Sequence, residues 1–506
     1  MPAVFTKTHR APVKISPLSD WTDSRRLLCG LLAFAVVRLA FAFTFDAVPQ
    51  EAYYFLYSQH LALSYFDHPP VLALLLRGFT ELLGPHVFAL RLTAFCVTAL
   101  TQVAFLLLAR RCLPRARATS ATLLLCGTGA FTLLSLISLP DVPLMLFWTL
   151  SLLHLHRALF DPKLRSGWLL AGVFMGLAFD SKYTGIFLQA GLVLFLLCSK
   201  AHRPLLKTVW PYATLLIAQG VMFPVYLWNW QHGFASFAFQ SVNRASGAHG
   251  LHLRYLAGLL ASQGALLLPP LFLVVGYGLV RRTRAVSAPR RDPQALFLWS
   301  FCAPLFALML VVSLFSLVKA NWLFPVYVTG TLLAAPLFSP RLLRLQWGSV
   351  ALLHLLAAVE LLVYPVPITS SDTWMGWRAL GEEVSALSSR HPGAFLFSAD
   401  SYKTAAELRL YTGIPVLAGN VLGLPALQFD YLGDNLPGLR GHEALDIEPA
   451  PPPWDGRRRG EVPAGVLSRF EHVEELAPLL IRAHGETVRK FYVYSARGYR
   501  GPFSNQ

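Results

Sequence analysis

Eleven apolar runs recur through the first 365 residues of the chain, each near the roughly 20 residues that cross the hydrocarbon core of a bilayer. They lie at approximately 27–45, 87–109, 118–138, 142–160, 167–180, 184–199, 208–230, 255–280, 295–318, 321–339 and 345–365. No soluble core absorbs that much apolar surface. With 55% hydrophobic residues in 506 and a mean hydropathy of +0.50, the chain reads as an all-α polytopic membrane bundle of about eleven transmembrane helices.

Charge placement orients it. Residues 1–365 hold 29 Lys and Arg against 11 Asp and Glu, whereas residues 366–506 hold 14 against 16. The basic excess falls in alternate short loops: Arg110, Arg111, Arg115 and Arg117; Arg157, Lys163 and Arg165; Lys200, Arg203 and Lys207; Arg281, Arg282, Arg284, Arg290 and Arg291; Arg341 and Arg344. Positive loops stay inside, so this pattern explains the net charge of +16 without nucleic acid as a partner. Lys7, Arg10, Lys14, Arg25 and Arg26 place the N-terminus in the cytoplasm, and an odd number of spans sends residues 366–506 outside. The first run is long for a signal-peptide core and no A-x-A site follows Phe45, so it reads as a retained anchor. The six cysteines have no paired spacing, which argues against a disulfide framework and against a thiolate zinc site.

Two domains follow: a membrane domain over 1–365, including an outer loop at 45–86, and an extracytoplasmic segment over 366–506. In the loop, EAYYFLYSQHLAL and VLALLLRGFTELLG have helical spacing and are expected as short interfacial helices. In the second part, FLFSADSYKTAAELRLYTG reads as strand, turn and helix, and VRKFYVYSARGY as a further strand, with the proline-rich PAPPPWDGRRRGEVPAG loop between them. A small α/β domain is expected there.

Acidic residues are the sharpest clue to chemistry, because so few precede residue 366. Asp20, Asp23, Asp161 and Asp292 read as solvated charges on the inner side. Asp46, Glu51, Asp67, Glu81, Asp141, Asp180 and Glu360 lie on the outer side or within a span. Glu51 and Asp141 each open a helix, where a carboxylate could simply cap free N–H groups. Glu51, however, shares its loop with Tyr53, Tyr54, Asp67 and His68, the last two within a rigid DHPP turn. FDSKYTG brings Lys182 and Tyr183 to the same outer side, with a snorkelling lysine as the simpler reading. Lys319-Ala320-Asn321-Trp322 adds a cation, an amide and an aromatic. Carboxylates that activate a hydroxyl, beside cations that hold phosphate, suit group transfer from a phospholipid-like donor.

The run QEAYYFLYSQHLALSYFDHPPVLALLLRGFTELLG, followed by LPDVPLMLFW, LAFDSKYTGIFL and KANWLFPVYVTGTLL, resembles the bacterial membrane glycosyltransferases of the GT-C fold. These are related to the aminoarabinose transferase of lipid A and to protein O-mannosyltransferases. The resemblance spans about residues 25–365. SADSYKTAAELRLYTG and LQFDYL are similar to the less specific C-terminal domain of the same group. It implies a bacterial inner-membrane enzyme of cell-envelope or lipopolysaccharide modification. Such an enzyme moves a sugar from a polyprenyl-phosphate donor to a lipid, glycan or protein acceptor on the extracytoplasmic face, with inversion.

The group has Asp-Glu where this chain has Gln50-Glu51, and the first acid is its base. Here the base is Glu51 or Asp46, or activity has been lost; Glu51 is favoured. The group's Thr-Pro-Asp is Leu139-Pro140-Asp141, so Asp141 is expected to assist the base or orient the acceptor. Asp67 and His68 precede the matching Pro-Pro, and Lys182 matches a lysine expected to hold the donor phosphate. Tyr53, Tyr54, Tyr183, Lys319 and Asn321 complete the expected substrate-binding set. No cofactor is required, although Asp67, His68 and Glu51 have the donor atoms for a divalent ion. A transporter or a catalytically inactive relative is the alternative.

Overall fold

Apolar segments flanked by Pro, Gly and basic residues form helices here because nothing but a helix satisfies the backbone inside hydrocarbon without strand partners. The computed structural model describes residues 17–161, 165–243, 250–286, 292–366, 368, 370–400, 402–454 and 461–502. Lys7, Arg10, Lys14, Lys163, Arg290, Arg291 and the centre of the PAPPPWDGRRRGEVPAG loop lie outside these residues, as do the side chains of Asp20 and Arg284. All eleven apolar runs are helical. Among the described residues, four helices are long and apolar enough to cross a membrane alone: Val87–Cys112, Asp141–Phe160, Pro293–Val312 and Pro340–Val363. Arg115–Cys126 with Gly129–Leu136, and Leu253–Leu267 with Pro269–Thr283, pass as pairs bent by 64° and 115°. The sequence expectation of about eleven spans thus exceeds what length and composition alone support. Bends and short helices such as Ser166–Ser181 and Tyr183–Cys198 divide the apolar runs.

The first helix, Pro17–Ala42, packs into the bundle. Its buried Arg38 donates to the Cys126 carbonyl and, at 3.5 Å, to Thr132 Oγ1. The loop at 45–86 contains the two expected short helices, Pro49–Gln59 and Val71–Leu83. Val71–Leu83 is amphipathic as anticipated, burying Val71, Leu72, Ala73, Leu76 and Thr80. Pro49–Gln59 differs. It carries Tyr53, Tyr54, Phe55, Leu56 and Tyr57 in succession and so has no polar face to leave in water. It is instead covered on the other side by helix Lys403–Thr412 of the C-terminal part.

That C-terminal part is a six-stranded sheet with helices, its strands being β1 (Phe395–Phe397), β2 (Val416–Leu417), β3 (Ala444–Pro449), β4 (His472–Glu475), β5 (Leu479–Ala483) and β6 (Glu486–Arg497). The order is β2-β1-β3-β6-β4, with β5 also on β6. β1 is parallel to β2 and β3, and β6 is antiparallel to its partners. The strand–turn–helix anticipated at 395–413 and the final strand are both present.

One buried acid in the sheet gives a pH prediction. Asp446 of β3 is fully buried opposite Tyr494, with Glu448 two residues along the same face. Burial, then the neighbouring Glu448 carboxylate, pushes the Asp446 carboxyl well above the usual range. A raised folded-state pKa means that the contribution to stability is complete below the unfolded value of about 4 and is lost as pH rises through the folded pKa. Asp446→Asn is therefore expected to raise the melting temperature at pH 7 and to leave it unchanged near pH 4. Thermal melts of the detergent-solubilised protein across that range check this, and equal melting temperatures at pH 7 would refute it.

Candidate active site

Four chain breaks meet at the end of the bundle that carries the sheet. Pro140 starts helix Asp141–Phe160 and places Asp141 in its first turn. Helix Ser166–Ser181 stops at Lys182, whose extended backbone leads into the 3-10 turn Tyr183–Ile186. That reversal needs Gly185, because a Cβ there would lie 2.4 Å from the Phe179 backbone nitrogen. The 3-10 turn Ala320–Leu323 follows Lys319, and the Asp67-His68-Pro69-Pro70 turn precedes Val71–Leu83.

Together they line a cavity of about 490 Å³. Its centre is an ion pair: Lys182 Nζ donates to both Asp141 oxygens, at 2.8 and 2.9 Å, and Asn321 Nδ2 donates to Asp141 Oδ2 at 2.7 Å. Both charged side chains are buried, Asp141 to 1% exposure and Lys182 to 8%. Asp141 makes no capping bond to its own helix. The capping explanation fails for it because lysine and asparagine take its oxygens. The snorkelling explanation fails for Lys182, which turns inward to a carboxylate instead of outward to water.

Of the remaining expected residues, Tyr54, His68, Tyr183 and Lys319 also stand in the cavity wall. Glu51, Tyr53 and Asp67 do not. Glu51, the base favoured on sequence grounds, is fully buried as the capping-box residue of its helix. Its carboxylate accepts from the Val48 and Ser138 N–H groups at 3.2 Å each and sits 3.6 Å from Arg91. Burial holds its carboxyl above the usual range despite the opposing pull of Arg91. Arg91 also donates to the carbonyls of Ala42, Phe45 and Asp46, at 2.9, 2.6 and 2.5 Å, so the pair staples the start of the loop to the bundle. The alternative base, Asp46, accepts from the Arg378 backbone N–H at 3.1 Å and its Nε at 3.4 Å.

Tyr53 rivets the loop to the C-terminal part. Its hydroxyl donates to Asp67 Oδ1 at 3.4 Å and accepts from the Gln428 N–H at 3.0 Å. Asp67 also accepts from the Tyr57 hydroxyl, and its carbonyl from Gln240 Nε2 at 2.5 Å. Asp67 thus shapes the turn that presents His68, and Glu51 stands apart from both. Among the described residues, no group of three or more His, Cys, Asp or Glu is arranged to hold a metal ion. Tyr57→Phe should lower the apparent affinity for substrate several-fold, with little change in stability, by loosening the turn under His68; a titration of rate against donor checks it.

The cavity wall also contains residues that the sequence reading missed: Gln50, Gln240, Phe187, Met309 and Asp372. In the sequence Gln50 stands out only as a departure from an acid. Asp372 lies in SSDT, a stretch whose composition signals a turn and nothing more.

A family model described as dolichyl-phosphate-mannose-protein mannosyltransferase matches residues 67–228. The lipid A galacturonosyltransferase RgtD of Rhizobium johnstonii is 26% identical over 392 residues, 76% of this chain and 81% of the relative. The fold superposes on ArnT from Cupriavidus metallidurans, solved bound to undecaprenyl phosphate, with a TM-score of 0.62 at 16% identity, covering 94% of this chain and 98% of that one. The oligosaccharyltransferase AglB of Archaeoglobus fulgidus, in complex with an inhibitory peptide and a dolichol-phosphate, superposes with a TM-score of 0.52 at 12% identity over 85% of this chain and 70% of that one.

Proposed function

We infer that this membrane-embedded chain, a GT-C-fold glycosyltransferase of the ArnT and protein-mannosyltransferase type, takes its sugar from a polyprenyl phosphate and transfers it to a lipid A-type acceptor. The transfer takes place at the extracytoplasmic face of a bacterial inner membrane. The observation that carries the reading is the buried Lys182–Asp141–Asn321 group in the cavity wall, with Lys319 and His68 beside it.

A polyprenyl phosphate leaves as an anion, and a cation held in a water-poor site stabilises the charge that develops as the glycosidic bond breaks. Lys182 is that cation and Lys319 its companion. Asp141 positions Lys182 and Asn321; it does not itself touch the reacting atoms. Tyr54, Tyr183 and His68 provide the flat and polar surfaces on which a sugar ring rests. Glu51 acts as the brace of the loop. The likeness to RgtD makes a galacturonate donor with lipid A the first pair to test. The basic loops orient the N-terminus to the cytoplasm and the sheet to the outside. No step requires a divalent ion.

Reconstitution in liposomes with radiolabelled polyprenyl-phosphate galacturonate, mannose or aminoarabinose, each with lipid A or a peptide acceptor, tests this. Label is expected in lipid A. Label in peptide alone would displace the acceptor assignment, and no transfer from any donor would overturn the reading.

A further inference from the structure

One residue of the cavity wall, Asp372, stands apart from the others named, because it belongs to the segment that leads into the sheet. Its backbone is pinned on both sides. Asp372 N–H donates to Ser370 Oγ at 3.2 Å, and the Thr373 carbonyl accepts from Arg489 Nη2 of β6 at 2.9 Å and from Trp377 Nε1 at 2.8 Å. The carboxylate is then oriented through one oxygen: Oδ1 accepts from Gln50 Nε2 at 3.1 Å and pairs with Lys403 Nζ at 2.9 Å.

The two carboxylates of the cavity wall are differently disposed. Asp141 is buried with both oxygens taken by Lys182 and Asn321, so a proton bound there would displace charge-assisted bonds. Asp372 is half exposed, with both of its bonds on Oδ1 among the described residues. Its second oxygen can take a proton, and water can carry that proton away.

We propose that Asp372 is the general base of the transfer, set in place by Gln50 and supplied to the cavity by the C-terminal part of the chain; the assignment rests on the transferase reading above. In the step, Asp372 Oδ2 takes the proton of an acceptor hydroxyl. The acceptor oxygen bonds to the anomeric carbon, the bond from that carbon to the phosphate oxygen breaks, and its electron pair leaves with the polyprenyl phosphate. Asp372 then releases its proton to water. Gln50 is a positioning residue.

The test compares wild type, Asp372→Asn, Asp372→Glu and the double variant Gln50→Glu with Asp372→Asn, in liposomes holding the donor and acceptor that the wild type uses. Asp372→Asn is expected to lose about 100-fold in kcat, within the range for a lost general base. It should still bind undecaprenyl phosphate by tryptophan fluorescence. Asp372→Glu, and the double variant Gln50→Glu with Asp372→Asn, should each recover at least about 10-fold of that loss. Asp372→Asn working at the wild-type rate, or failure of both glutamates to recover activity in protein that binds the lipid, overturns the assignment alone. A wild type silent with every donor overturns the transferase reading and this assignment together.

Discussion

Lys182→Met is expected to lower the transfer rate by about 10²–10³-fold, the loss typical when a preorganised donor to developing negative charge is removed. The substitution keeps the length of the side chain and removes only its charge and hydrogen bonds. It has a second consequence, because Asp141 is left buried with Asn321 as its remaining partner. Stranding one member of a buried pair costs about 3–5 kcal/mol, so a loss of rate could reflect a loss of folded protein. The double variant Asp141→Asn with Lys182→Met separates the two. It removes the stranded charge and should melt close to wild type, yet stay as inactive as the single variant, since removing Asp141 cannot replace the missing cation. Recovery of the rate along with the melting temperature would show that Lys182 is structural. Lys182→Arg should keep the pair, because its fork matches both Asp141 oxygens, yet recover little of the rate, because a bulkier, delocalised charge replaces the compact ammonium.

Arg91→Met should be the most destabilising single change in the loop anchor, by about 3–5 kcal/mol, seen as a large drop in melting temperature. It leaves the Glu51 carboxylate buried without a counter-charge and removes the donor to three carbonyls, those of Ala42, Phe45 and Asp46. Glu51→Gln should be milder in stability, since an amide oxygen still accepts from one of the Val48 and Ser138 N–H groups. In protein that remains folded, its kcat should stay within a few-fold of wild type, because the side chain does not line the cavity. Abolished transfer in well-folded Glu51→Gln would return Glu51 to the role of base. Replacing both members of the pair by methionine should restore only part of the stability, because the three carbonyls stay without their donor.

The capping roles show where reading from residues stops. Glu51 and Asp141 look alike in the chain, each an acid in the first turn of a helix after a proline, and each compatible with capping. In the folded protein Glu51 caps and Asp141 does not. Nothing local separates them. Arg91, 40 positions along the chain, and the Ser138 amide claim Glu51, while Lys182 and Asn321 claim Asp141. Asp372 was harder still. A polar residue in a serine-rich turn has no local pattern that marks it as facing a cavity, and it reaches one through bonds to Gln50, far away in sequence, and to Lys403.

What the sequence determined by itself is what depends on solvent and on local order. Apolar runs of membrane length must become helices, and polar interruptions such as DHPP, FDSKYTG and KANW break helices where backbone and charge demand it. Those breaks, the start of helix Asp141–Phe160 and the helix Pro49–Gln59 carry Tyr54, His68, Asp141, Lys182, Tyr183, Lys319 and Asn321 into one cavity. Only the tertiary structure decided which carboxylates face that cavity, which acts as a brace, and that the segment leading into the sheet contributes to the wall. Those outcomes depend on partners distant in the chain, and a charge that is buried takes its role from the group that neutralises it.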